Sequence, residues 1–173
     1  LLDSDFIAEY LFVAQGSALM AITHPKKETV TEKDMKRMSG LKTPSRSLAV
    51  IRIPHYALAL EGLKDELTIV LDAIQDPGNL GTIIRLADWF GISNIICSPD
   101  TADCYNPKVV QASMGSITRV KIHYRPLAAP LNSLAPDIPV SGTFLNDSNI
   151  YSRKLSSNGL AVMGYEGKGI SAE

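Results

Sequence analysis

The chain is short of the features that would assign it quickly to a secreted, metal-binding or membrane class. It has two cysteines, Cys97 and Cys104, in 173 residues. Two cysteines make neither a disulfide framework nor a zinc site. Cys97 lies in the apolar run Asn94-Ile95-Ile96-Cys97, so a buried thiol is expected. The three histidines, His24, His55 and His123, are far apart and lack ligand spacing, and no metal is expected. No apolar run approaches the ~18 residues of a membrane span, and no signal peptide is visible. Charge is nearly balanced, with 17 Lys+Arg against 18 Asp+Glu, so composition alone carries no nucleic-acid signature. There is no internal repeat and no low-complexity segment.

Charge is unevenly placed, however. Between His24 and Arg52 lie Lys26, Lys27, Lys33, Lys36, Arg37, Lys42, Arg46 and Arg52, against Glu28, Glu32 and Asp34. From Asp65 onward acids outnumber bases. A basic segment on a mildly acidic body suggests an anionic partner, although a solvated surface explains it as well.

Residues 1–55 read as a small α/β unit. Phe6 to Val13 mixes aromatic and β-branched residues, as strands do. Thr31 is placed to cap a helix, with Asp34 three residues on in the capping-box position, and Met35 and Met38 share a helical face. Ser39-Gly40 ends that helix. A polar, basic loop, Leu41 to Arg46, leads to a second strand over 47–53. Residues 56–66 read as a linker. From 67 to 173 apolar strands over 67–74, 94–98, 117–123, 139–145 and 159–164 alternate with helical or loop segments over 78–90, 106–114, 127–134 and 147–155. That alternation predicts βαβ units and a mostly parallel sheet.

Three stretches follow the carboxyl ends of predicted strands. The first is Asp76-Pro77-Gly78-Asn79-Leu80-Gly81-Thr82-Ile83-Ile84-Arg85, running to Gly91. It is a glycine-rich loop that opens a helix and presents Asn79. Arg85 follows about one and a half turns later, so its side chain is expected to reach back to the loop. The stretch lacks the Walker Lys-Ser/Thr and a G-x-G-x-x-G spacing, which argues against a P-loop nucleotidase and a dinucleotide fingerprint. The second is Asn106 to Ser116, with Pro107 at a helix start and Met114-Gly115 at its end. The third is Met163-Gly164-Tyr165-Glu166-Gly167-Lys168-Gly169, with three glycines in six residues that allow close backbone approach. Each alone is compatible with a plain structural turn. Together they can converge on one crevice.

Taken in order, these stretches resemble the SpoU/TrmH-type RNA 2′-O-ribose methyltransferases of the SPOUT class. Asp76 to Gly91 is similar to the family's first motif, Ala112-Ser113-Met114-Gly115-Ser116 to the segment after it, and Met163 to Gly169 to its second motif. The resemblance covers residues 67–173. Residues 1–55 more weakly resemble the family's N-terminal RNA substrate-binding domain, itself like small ribosomal proteins.

The resemblance implies an α/β fold of trefoil-knotted type with a small N-terminal substrate-binding domain, working as a homodimer in the cytoplasm. It implies S-adenosylmethionine as cofactor and RNA as substrate, ribosomal RNA ahead of tRNA. Arg85 would activate the ribose 2′-hydroxyl. Because a guanidinium stays protonated, electrostatic stabilisation of the forming alkoxide is the preferred description. Asn79 would position Arg85 or the ribose, and Glu166 would orient the site. Thr143 and Leu145, with Met163 and Gly164, would hold the cofactor largely through backbone. Lys42 and Arg46 would contact RNA phosphates. Tyr165 departs from the Asn frequent at its place in the family. A third motif, a Pro-containing loop leading to Ser-Leu-Asn and a final helix, would follow Glu173; we expect it beyond that residue, and mobile without cofactor. A non-catalytic RNA-binding or assembly protein that keeps the fold is the runner-up. A nucleotide-binding α/β enzyme of another class, which would bind ATP or NAD, is the third reading.

Overall fold

The computed structural model describes residues 4, 6–128, 131, 135–143, 152, 154, 156–165, 167 and 169–171, with backbone alone at 60 and 61. The chain forms two compact units, Leu1–His55 and Tyr56–Glu173.

The first unit holds a three-stranded sheet of β1 (Ala8–Ala14), β2 (Lys27–Val30) and β3 (Ser47–Ile51) in the order β2-β1-β3. β1 pairs parallel with β2 and antiparallel with β3. Helix α1 (Glu32–Met38) follows β2. Its start is built as the sequence predicts. The Asp34 N–H donates to Thr31 Oγ1 at 3.2 Å and the Thr31 N–H to Asp34 Oδ2 at 3.3 Å, a reciprocal capping box. Of the two methionines only Met35 is buried, joining Leu11, Val13 and Ala14 in the core; Met38 is exposed. β2 has no counterpart in the sequence reading. Its Lys-Glu-Thr-Val carries no apolar alternation, and only the neighbouring β1 makes it a strand.

The second unit is a five-stranded, wholly parallel sheet. Its strands are β4 (Leu67–Leu71), β5 (Asn94–Cys97), β6 (Lys121–Tyr124), β7 (Val140–Gly142) and β8 (Gly159–Met163), in the order β6-β5-β4-β8-β7. Alternation along the strands separates two cores. Ile69, Leu71, Ile95 and Cys97 face α2 (Pro77–Trp89) and α3 (Pro107–Ala112), burying Leu80, Ile84, Ala87 and Val109. Val70, Ile96, Leu160 and Val162 pack with Leu63 in the other. The buried α2 residues recur at the i, i+4, i+7 spacing of one helical face. Both cysteines are free and buried, and burial pushes the Cys104 thiol up to about 11 and the Cys97 thiol higher still.

Two strand expectations need correction. The strand read over 117–123 begins only at Lys121, because a 3₁₀ turn (Ser116–Thr118) takes its first residues. Gly115, at φ 89°, reverses the chain there, and the Thr118 hydroxyl donates to the Gly115 carbonyl at 2.9 Å. Ile117 is buried from the turn instead of from a strand. The strand read over 67–74 ends at Leu71, because Ala73 adopts the left-handed conformation at φ 55°. Most of the helical connections read over 127–134 and 147–155 lie outside the described residues, as do 144 and 145 of the fourth apolar stretch.

Candidate active site

In a parallel sheet all carboxyl ends share one edge. Here β4 is the reversal point: the chain leaves it through α2 to β5 on one side, and β8 joins it on the other. Ligands in open α/β sheets bind outside such a reversal. Two cavities open there. One, of about 550 Å³, is lined by the loop after β4, the first turns of α2 and the end of β8, including Ile74, Asn79, Thr82, Met163 and Gly164. The other, of about 600 Å³, is lined by the ends of β4, β5 and β6, including Asp72, Ser98, Asp100 and Leu127. Gln75 and Tyr165 belong to both linings and so stand between them.

The loop after β4 is held in place by buried hydroxyls. Ser98 Oγ accepts the Ala73 N–H at 2.8 Å and lies 3.1 Å from Thr101 Oγ1, which donates to the Leu71 carbonyl at 3.3 Å. The Ala102 N–H reaches the Ile74 carbonyl at 2.9 Å. The left-handed Ala73 is thus fixed from β5, and the chain turns from β4 into α2. Asp76 caps α2, its Oδ1 accepting the Asn79 N–H at 2.8 Å, with Pro77 in the first turn. This fixes the Asn79 backbone and leaves its exposed amide side chain on the cavity wall.

The stretch after β8 folds back on itself. Tyr165 and Gly169 form an antiparallel bridge, and the Gly169 N–H donates to the Tyr165 carbonyl at 2.8 Å. A Cβ on Gly164 would lie 2.2 Å from the Gly169 carbonyl group, so only glycine fits there. The chain then returns to β4: the Ser171 N–H donates to the buried Asp72 carboxylate at 2.6 Å.

Of the residues singled out from sequence, Asn79, Met163 and Gly164 come together on the first cavity. Thr143, directly after β7, lies against β8, its N–H donating to the Val162 carbonyl at 3.0 Å, so its amide is taken by the sheet. Arg85 does not reach the loop as expected. Six residues past Asn79, it sits about 120° around the helix. It is exposed, lines neither cavity, and makes no ion pair among the described residues. Leu145 and Glu166 lie outside the described residues. In the other unit, Lys42 and Arg46 are exposed on the loop after α1, where Arg46 lies 4.0 Å from Glu32. Lys26 and Arg52 instead pair with Glu9, at 3.4 and 2.5 Å.

Sequence reasoning missed Gln75, Ser98 and Thr101. Their only signal is position: Gln75 directly precedes Asp76, and Ser98 to Thr101 is a polar turn after an apolar strand. Near the far end of α2, Asp88 is clamped by Arg119 Nη2 at 2.6 Å, Arg119 Nε at 2.9 Å and the Ser116 hydroxyl at 2.7 Å. The Arg119 guanidinium holds its carboxyl below the usual range.

Residues 66–173 match the model of the SpoU rRNA Methylase family. The chain is 32% identical over 145 residues to the 23S rRNA (guanosine(2553)-2'-O)-methyltransferase RlmP of Bacillus subtilis, covering 83% of this chain but 57% of that protein. A TrmH-family structure from Porphyromonas gingivalis superposes with a TM-score of 0.83 at 35% identity, covering 97% of this chain and 69% of that one. An AdoMet-bound rRNA methyltransferase from Sinorhizobium meliloti superposes at 0.81 with 28% identity, covering 98% and 68%.

Proposed function

The chain belongs to the SpoU rRNA methylase family, and from that premise we propose that it is an S-adenosylmethionine-dependent RNA methyltransferase acting on a ribose 2′-hydroxyl, in ribosomal RNA. The observation that carries this reading is the cavity at the β4–β8 reversal, which gathers Asn79 from the first motif-like stretch with Met163 and Gly164 from the other.

The cavity fits the cofactor. Its volume of about 550 Å³ lies within the usual range for ligand pockets. Ile74, Pro77, Ile83 and Met163 supply apolar wall, and Gln75, Asn79 and Thr82 supply a few polar groups. Met163 and Gly164 would hold the cofactor, with Thr143 and Leu145 beside them. When bound, S-adenosylmethionine supplies an electrophilic methyl group on sulfonium. The chain's own residues have the remaining tasks. Asn79, its backbone fixed by Asp76, offers its amide to the ribose. Glu166 orients the site. Arg85 lowers the cost of removing the 2′-hydroxyl proton by stabilising negative charge on that oxygen.

Arg85 does this from a homodimer interface. The outer side of α2 exposes Leu86, Trp89 and Phe90, the last two at 83% and 72%. Such a patch calls for a partner, and a second copy of the chain covers it. Arg85 shares that exposed side, so the dimer sets its guanidinium against the neighbouring subunit. The segment after Glu166 threads a loop to form the trefoil knot, as the return of Ser171 to Asp72 supports. The first unit binds RNA phosphates through Lys42 and Arg46. No helix among the described residues is long and apolar enough to cross a membrane, and the enzyme works in the cytoplasm.

The test uses the full-length protein. Calorimetry is expected to detect S-adenosylmethionine binding, and tritium from the labelled methyl group is expected in unmodified 23S rRNA. Arg85→Ala is expected to abolish transfer while the circular dichroism spectrum stays unchanged, since Arg85 is exposed and unpaired among the described residues. Undiminished transfer by that variant would overturn the role of Arg85. Absence of S-adenosylmethionine binding by the unsubstituted protein would overturn the activity.

A further inference from the structure

We infer that Tyr165 is the platform on which a base of the RNA substrate stacks, beside the ribose site proposed above. Three observations lead there. Tyr165 lines both cavities and is 36% exposed. A tyrosine serving the core would be covered. Its hydroxyl makes no hydrogen bond among the described residues.

The ring is also held. Its backbone is fixed by the bridge to Gly169. A Cβ on Gly167 would stand 3.1 Å from Tyr165 Cε1 and 3.6 Å from Cδ1. Gly167 therefore lies close against the ring, and a side chain there would crowd it by a few tenths of an ångström. A positioned aromatic at the mouth of a cleft is what an unstacked base requires, because every base offers a π-face and single-stranded RNA is read by stacking on aromatic side chains. Gln75, the other residue shared by both linings, places an amide beside the same point, where it can meet a base edge. With the ribose at Asn79 in the first cavity, the base passes over Tyr165 toward Ser98 and Asp100 in the second.

This inference takes the class of substrate and the place of the ribose from the proposed function, and its test is separable. RNA affinity is measured on the full-length protein by gel shift with unmodified 23S rRNA fragments, and S-adenosylmethionine affinity by calorimetry. Tyr165→Asn, which removes the ring, is expected to weaken RNA binding roughly ten-fold, in keeping with the worth of one base–aromatic stack. Tyr165 also lines the cavity assigned to S-adenosylmethionine, so cofactor affinity is measured for each variant beside RNA affinity, and the stack is read from a loss of RNA binding larger than any change in cofactor binding. Tyr165→Phe and Tyr165→Trp keep a π-face and should keep RNA affinity. Unchanged RNA binding by Tyr165→Asn overturns the inference. So does equal weakening by Tyr165→Phe, which would assign the effect to the hydroxyl. RNA affinity reads the stack whether or not the protein transfers methyl groups, so failure of the proposed activity and failure of the stack are distinguishable.

Discussion

Gly81→Ala opposes two physical effects of different sign at one position. Gly81 is an interior residue of α2, and replacing a helical glycine by alanine normally stabilises by about 1 kcal/mol. In this protein the added methyl has no room. Its carbon would fall 2.5 Å from Ala112 Cβ, 2.9 Å from the Val109 carbonyl oxygen and 3.1 Å from the Ala112 carbonyl carbon. Carbon atoms rest about 3.5–4.0 Å apart, so α2 and α3 must separate by about 1 Å here. Two of the three obstructing atoms are backbone, and no rotamer change relieves them. Overpacking of this kind costs about 1–3 kcal/mol, and the upper part of that range applies. After subtracting the helix-propensity gain, the variant should be less stable by about 1–2 kcal/mol. Urea unfolding followed by circular dichroism should show a midpoint lower by about 0.5–1 M with an unchanged slope. Adding Ala112→Gly removes the nearest atom and should recover part of the loss, leaving the Val109 carbonyl contact. A Gly81→Ala protein as stable as the original, or more so, would refute the close approach of the two helices. Because α2 carries Asn79 and Arg85, the same shift should also reduce methyl transfer beyond what the stability loss explains.

Two further perturbations test other parts of the fold. Asp88 is held below its ordinary pKa by Arg119, so its contribution is present above the unfolded-state value of about 3.9 and is lost as pH falls through the lower folded value. Asp88→Asn should cost about 1 kcal/mol near neutral pH, and its stability gap from the original should close below about pH 4; a gap constant from pH 7 to 3 would contradict this. Ala73→Gly should stabilise by about 0.5–1 kcal/mol, because relief of left-handed strain exceeds the added unfolded-state entropy, whereas Ser98→Ala should destabilise by about 1–3 kcal/mol by leaving the Ala73 N–H unpaired. Equal effects of the two in thermal unfolding would show that Ala73 is not strained.

The sequence by itself determined whatever depends on short-range pattern. Alternating apolar strands and helical stretches were enough for a parallel α/β sheet. Thr31 with Asp34 marked the start of α1, and Asn106-Pro107 that of α3, because helix starts are set by residues within one turn of each other. The glycines after Met163 marked where the chain turns at a strand end, whereas Pro77, Gly78 and Gly81, read as a glycine-rich loop, lie within α2 and the turn after β4 is made at Ala73. The resemblance to the methyltransferase family rested on the same ordered stretches, and the family match over 66–173 agrees with it.

Only the tertiary structure decided what depends on distant neighbours. β2 is a strand because β1 lies beside it, not because Lys-Glu-Thr-Val favours one. β4 stops at Leu71 because Ser98 and Thr101, from the turn after β5, hold Ala73 in a conformation alanine rarely adopts. Helical spacing suggested that Arg85 could reach the loop, yet which side of α2 is buried sets its direction, and that side is chosen by the sheet and α3. Tyr165 looked like a departure from a motif. In the folded chain it stands between two cavities, a place no local spacing could have given it, because the strands that form those cavities are brought together only by the sheet order β6-β5-β4-β8-β7.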